Sequence, residues 1–446
     1  MSEGRQIVHK RIALLSLVMC VATLPFSIKL CHLAIIVYIV NSLVEGGWRE
    51  KLAIINQSLM LQLFLAYFGL LLLGLLFSES LSTGWFSLEK KLFLFMLPVA
   101  LGTTSIKFTP GEIKNLLFIF AGACFAATVY CIFHSWQEAN LVLAGEHKLN
   151  PYLSGSEYFA LHPLASDRWL LFSYVSLSSG INLHPTYFSL FLACSIIILL
   201  YEIPSIRSGL KRNAALFLIV YFSVFIIFLS SRIMILAVGM IFLFVMGRCA
   251  IQKHRSSALM AMGAALLFCV LLVLNPVSRY RSLEEIGVST FRVDPGSNYT
   301  TASQIRFSLW WMAIKSLRDW NPLVGYGTGD TERAMLKTST EVRVTNSISS
   351  VDPHNQFLYT LLANGVPALI VLIMMLGLPV YLAWMQNDFL LLGFSFLFIL
   401  LCMTESALEL QKGIVFYAVF SGLLLFQQNS FQNFHINFKS MIRVGR

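Results

Sequence analysis

Charge is what this chain has least of: Asp, Glu, Lys and Arg make up 12% of its 446 residues, against 57% hydrophobic residues. A mean hydropathy of +0.73 lies far above that of a soluble domain of this length, which excludes one. The strict polar–apolar alternation of a membrane barrel is missing as well, so the apolar runs, many of them about 17 to 25 residues long, read as membrane helices. No acidic residue stands between Glu202 and Glu284. A phosphate-binding loop, an HExxH motif and a Cys/His zinc spacing are all lacking, which argues against a nucleotide-driven pump and a membrane zinc protease. The eight cysteines are scattered through apolar runs without metal-type spacing and read as small buried hydrophobes. In such a chain the formal charge of +10 speaks for orientation in a bilayer rather than for nucleic acid.

What is present is a succession of apolar runs. Twelve helices are expected, near 12–28, 31–45, 58–77, 91–106, 114–134, 184–202, 213–230, 232–248, 257–276, 358–384, 388–404 and 411–427. The first run follows a basic start like a signal peptide, but no small-residue cleavage site follows it and a second run begins at once, so it is read as a span. An even number of spans puts both termini on one side. The segments RQIVHKR, GGWREK, IKFTPGEIK, IRSGLKR, GRCAIQKHR and FKSMIRVGR then share a face and hold 16 of the 32 basic residues, which makes that face cytoplasmic. Lys90 and Lys91 fall on the outer side and fit this scheme poorly. The fold expected is a single all-α polytopic transmembrane domain, residues 1–446, with two outer loops at 135–183 and 277–353. Within the larger loop, SQIRFSLWWMAIKSLRDW sets Ile305, Leu309 and Met312 at helical spacing and ends at Asn321-Pro322 and the turn GYGTGD. It reads as an amphipathic helix at the outer membrane surface.

Polar residues at the lips of apolar runs are the candidates for chemistry. Arg232, in FIIFLSSRIMILAVGM, cannot shed its charge and has no acidic neighbour in sequence, which leaves a distant carboxylate, lipid headgroups or an anionic ligand as its partner, or an interfacial position. Arg306 opens the amphipathic helix, and two guanidiniums on one face of the membrane match the oxygens of a diphosphate. Arg306 reads equally as a solvated charge, with Arg279, Arg281 and Arg292 as competitors. His354, in VDPHNQFLYTLL, is expected in the first helical turn, with Asp352 as N-cap and Pro353 at the first position. A neutral imidazole there suits general-base work, the alternative being a plain interfacial residue. Asn355 is set to orient that ring, bind a sugar hydroxyl or cap the helix. INLHPTYFSL places His184 and Tyr187 at another outer helix start, facing the same cavity or simply beginning a helix. TESALELQKG puts Glu405 and Glu409 one turn apart on one helix face, as partners for the arginines, as acceptor ligands or as solvated groups.

Taken in order, SSRIMILAVGM, IRFSLWWMAIKSLRDWNPLVGYGTGD and PHNQFLYTLLANGVPALIVLI resemble the hallmark domain of the O-antigen ligase and O-antigen polymerase family over roughly residues 215–375. HPTYFSL and TESALELQKG also look like segments of its bacterial members. In NGVPAL, Pro367-Ala368 replaces a more usual glycine-containing turn. The resemblance implies a C-type glycosyltransferase-like fold of transmembrane helices in the bacterial inner membrane, with its active site on the periplasmic side. The donor implied is an undecaprenyl-diphosphate-linked glycan, and no cofactor or metal is called for. By position, Arg232 and Arg306 match the arginines that grip the donor diphosphate and His354 matches the essential histidine of the periplasmic loop.

The expected activity is therefore transfer of a glycan from undecaprenyl diphosphate to a hydroxyl of the lipid A core, with inversion at the anomeric carbon, since no residue stands out as a covalent nucleophile. A polymerase that joins lipid-linked repeats shares every one of these residues and differs only in its acceptor, and protein O-glycosylation is a third activity within the same fold. A flippase or secondary transporter is the rival from another class. Internal repeats and ionisable groups at mid-membrane would favour it, whereas these candidates gather at helix ends and in one loop.

Overall fold

The computed structural model describes residues 3–144, 171–251, 255–284, 301–342 and 351–427. Parts of both outer loops, Arg292 and the basic tail at 439–446 lie outside them. Among the described residues every regular element is helical. In chain order the helices are α1 (Glu3–Thr23), α2 (Ile28–Glu45), α3 (Trp48–Gln57), α4 (Leu59–Leu76), α5 (Leu81–Thr103) and α6 (Pro110–Leu143). They continue with α7 (Tyr174–Ser178), α8 (Pro185–Glu202), α9 (Gly209–Leu229), α10 (Arg232–Ile251), α11 (Arg255–Leu274) and α12 (Pro276–Arg279). The last five are α13 (Ala302–Ser316), α14 (Thr331–Val342), α15 (Gln356–Gln386), α16 (Phe389–Thr404) and α17 (Gln411–Phe426).

All twelve expected runs are helical. Seven helices, α1, α2, α4, α6, α8, α9 and α15, are long and apolar enough to cross a membrane by the described residues alone, or eight if Leu266–Leu274 and Pro276–Leu283, which meet at 96°, form one broken span. The chain is a polytopic all-helical membrane protein. Several elements differ from expectation, among them the unanticipated helix α14 within the larger outer loop. The polar segment WREKLAIINQ forms the separate helix α3, and α5 starts at Leu81, ten residues earlier than its apolar run.

Two compact units make up the chain, with boundaries inside α6 and α13. One comprises residues 1–119 and 309–446, the other residues 120–308. In the first, α17 is buried along its length, and Tyr417 stacks on Phe398 at 4.5 Å while its hydroxyl donates to the Met375 carbonyl at 3.1 Å. In the second, α8 is the core, with 83% of its apolar window buried, and Phe188 meets Phe225 edge to face at 5.6 Å. Large exposed apolar side chains such as Leu33, Leu73, Phe217 and Leu243 cover outward helix faces, as a lipid-facing surface requires. Side-chain oxygens of Ser27, Ser58 and Asp388 accept the backbone N–H of Leu30, Leu61 and Leu391 and so start α2, α4 and α16.

One break positions the site. Gly365 interrupts α15 at φ 76°, ψ −173°, a conformation open essentially to glycine alone. Two carbonyls there lose their helical donors: Pro367 has no N–H for Ala363, and the Val366 N–H turns from Leu362 to the Pro322 carbonyl (2.8 Å). The preceding loop replaces both. The Tyr326 N–H donates to Leu362 at 2.8 Å and the Gly327 N–H to Ala363 at 2.9 Å, while the Trp320 indole adds a bond to the Leu361 carbonyl at 3.1 Å. Backbone polar groups in an apolar setting need such partners. The glycine-rich turn GYGTGD is therefore fastened to the broken helix, and α14 follows directly from it.

Candidate functional site

In the first unit, the start of α15 and the α16–α17 connection meet at a pocket of about 260 Å³. Its walls include Lys90, Thr328, Glu332, His354, Tyr359 and Glu405. Asn355 caps α15. Its amide oxygen accepts the N–H groups of Phe357 (3.0 Å) and Leu358 (3.1 Å), and its Nδ2 donates to the Met403 carbonyl at 3.0 Å. His354 therefore stands one residue ahead of the cap, not in the first helical turn. Asp352 is not the N-cap; its Oδ1 accepts the His354 N–H at 2.6 Å and the Ser406 hydroxyl at 2.6 Å. His354 itself has a left-handed backbone, φ 46°, which this carboxylate holds. Asn355 acts as cap and as tether to α16, with both ends of its amide engaged.

The imidazole Nδ1 lies 3.1 Å from Glu405 Oε2. The Glu405 side chain is only 6% exposed, whereas that of His354 is 37% exposed toward the pocket. With Glu405 as a carboxylate and the ring neutral, Nδ1 is the donor of this bond and Nε2 bears the lone pair. Glu405 and Glu409 do not share a helix face. α16 ends at Thr404, Glu405 is extended, and Glu409 closes a 3₁₀ turn.

Glu409 pairs with Lys91, Nζ to Oε1 at 2.7 Å, with the two side chains 11% and 2% exposed. Gln356 joins them, donating to Glu409 at 3.4 Å while accepting the Leu408 N–H at 2.7 Å. Burial pushes the Glu409 carboxyl above the ordinary carboxylate range, and Lys91 opposes that. The lysine that fitted the topology poorly is thus neutralised inside the protein. Its neighbour Lys90 reaches the pocket wall and lies over the Phe86 ring at 4.4 Å.

In the second unit, Ser230 ends α9 in a left-handed conformation, φ 52°, and Arg232 begins α10. The Arg232 Nη1 donates to the hydroxyl of Ser303, which stands one turn before Arg306 on α13. The Arg232 side chain thus reaches the turn of α13 that precedes Arg306. On α13, Leu309 and Met312 are buried within the protein, while Ile305 is only half-buried. His184 is the exposed N-cap of α8, its Nδ1 accepting the Thr186 N–H at 3.4 Å. Tyr187 is 2% exposed and belongs to the core.

Residues 217–373 match the family model described as O-antigen ligase. The chain carries an O-antigen ligase family domain. No curated protein sequence matches the chain. The O-antigen ligase domain takes in Arg232, Arg306, His354 and Asn355, together with the loop fastened to the α15 break. Lys91, Glu405 and Glu409 lie outside the domain, on elements that complete its pocket. Of these, Lys91 has no role in the sequence reading, where the charged pair at 90–91 marks the start of an apolar run and fits the topology poorly. Pairing with Glu409 is what lets the helix continue through it.

Proposed function

We propose that this protein is a glycosyltransferase of the O-antigen ligase type, moving a glycan from undecaprenyl diphosphate to a hydroxyl of the lipid A core on the periplasmic side of the bacterial inner membrane. The reading rests on the matched domain, and one observation carries its chemistry: an imidazole facing a polar pocket with a nearly buried carboxylate on its Nδ1. His354 Nε2 takes the proton of the acceptor hydroxyl as that oxygen bonds to the anomeric carbon. Glu405 keeps the tautomer and stabilises the imidazolium that forms. The bond between the anomeric carbon and the phosphate oxygen breaks, and the diphosphate leaves with the electron pair. Arg232 and Arg306 neutralise its growing charge, in place of a metal. Attack opposite the leaving group inverts the anomeric centre.

The pocket beside His354 has room for one sugar-sized group, near the lower end of small-ligand pockets, roughly 300 Å³. Purified protein in nanodiscs, supplied with a lipid-linked glycan and in turn with lipid A core or a second lipid-linked glycan, tests the reading. Product on the core is expected. Product only on the lipid-linked glycan makes the enzyme a polymerase. No product, with donor moved across sealed vesicles, replaces the enzyme with a flippase.

A further inference from the structure

We propose that Arg281 is a third cationic ligand for the polyprenyl diphosphate, presented by the ring of Tyr174. The inference rests on the proposed donor site. After the 96° bend, α12 runs into a π-helical turn over Tyr280–Glu284, a geometry that recurs at functional sites. The Arg281 guanidinium lies over the Tyr174 ring at 3.5 Å, and its Nε is buried with no hydrogen-bond partner among the described residues. A guanidinium stacked by one face keeps its N–H groups in the plane, where an anion can reach them.

The stack is held deliberately. Tyr174 has a left-handed backbone, φ 52°, and His184 packs edge to face on its ring at 6.4 Å. The register with Arg232 is set by serines. Ser278, one turn before Arg281, meets the hydroxyl of Ser230 at 2.8 Å, two residues before Arg232. Arg232 in turn reaches Ser303 beside Arg306. Three arginines from three segments of one unit are therefore linked by two serine contacts; two of them, Arg232 and Arg281, lie in a run of 81 residues, 203–283, that holds no acidic side chain and ends at Glu284, three residues after Arg281. A diphosphate, with more than one negative charge and oxygens on two phosphorus atoms, suits three guanidiniums better than two.

The test is equilibrium binding of undecaprenyl diphosphate to the full-length protein in nanodiscs, with thermal stability measured in parallel. Arg281→Gln is expected to weaken binding about tenfold, about 1.4 kcal/mol. Tyr174→Ala should weaken it similarly, and Tyr174→Phe should bind as the parent does. If Arg232→Gln and Arg306→Gln weaken binding while Arg281→Gln leaves it unchanged, this inference fails and the donor site stands. If none of the three changes it, the donor site itself is wrong. A fall in Tm for Arg281→Gln without loss of affinity in the folded fraction marks a structural stack and overturns the proposal.

Discussion

Gly365→Ala tests whether the broken helix is held by its loop. A Cβ at Gly365 would meet the Pro322 carbonyl oxygen and the Leu323 carbonyl carbon, both at 2.7 Å, atoms of backbone that cannot rotate away. The conformation alone costs an L-residue about 1–3 kcal/mol. Retreat of the loop would break the bonds from Val366 to Pro322 and from Tyr326 to Leu362, each about 1 kcal/mol. Together these give roughly 3–5 kcal/mol, or about 3–5 °C in Tm for a chain of this length. Gly377→Ala is the matched control. It lies on the same helix with nothing within 4 Å of its Cβ, so only helix propensity acts, a gain of up to about 1 kcal/mol. Intrinsic tryptophan fluorescence during a thermal ramp reads both variants. Equal Tm values, within about 1 °C, would show that the loop does not brace the break.

His354→Ala should cut glycan transfer by about 10²–10⁴-fold with donor affinity unchanged, measured by product formation and by direct binding. Glu405→Gln keeps an acceptor for Nδ1 but removes the charge, so about 10- to 10³-fold of turnover should go, again with donor binding intact; full activity would remove Glu405 from the mechanism. Lys91→Met leaves a buried carboxylate alone and should destabilise by about 3–5 kcal/mol, whereas Lys91→Met combined with Glu409→Leu should recover most of it. Because burial raises the folded-state pKa of Glu409, its contribution favours the folded form most below the ordinary carboxylate range and is lost as pH rises through the raised value. Glu409→Gln should flatten that part of the curve of Tm against pH.

Helix existence was legible because each apolar run is long enough to declare itself without its partners. Boundaries were not. Lys91 looks like the start of a run because hydropathy cannot see that Glu409, far along the chain, pairs with it. Helix α3 escaped notice because its polar side chains mask a single short helix between apolar runs. His354 stands out by its position at the lip of α15, but nothing local connects it to Glu405, 51 residues further on. Glu405 and Glu409 have helical spacing, and only the end of α16 at Thr404 shows that they point to different neighbours. The NGVP and GYGTG segments each carry a local signal of broken backbone, but their mutual hydrogen bonds join residues about 36 positions apart, beyond any local pattern.

The corner at Gly365 divides α15 into a short rod, residues 356–364, and a longer apolar one, residues 366–386. Only the longer rod must adjust its tilt when acyl chains lengthen or shorten, since hydrophobic mismatch acts on the lipid-exposed stretch. The short rod is gripped at one end by Trp320 and Tyr326 and tied at the other, through Asn355, to Met403. The imidazole at its tip is thereby insulated from membrane thickness, and turnover should change little between thin and thick bilayers.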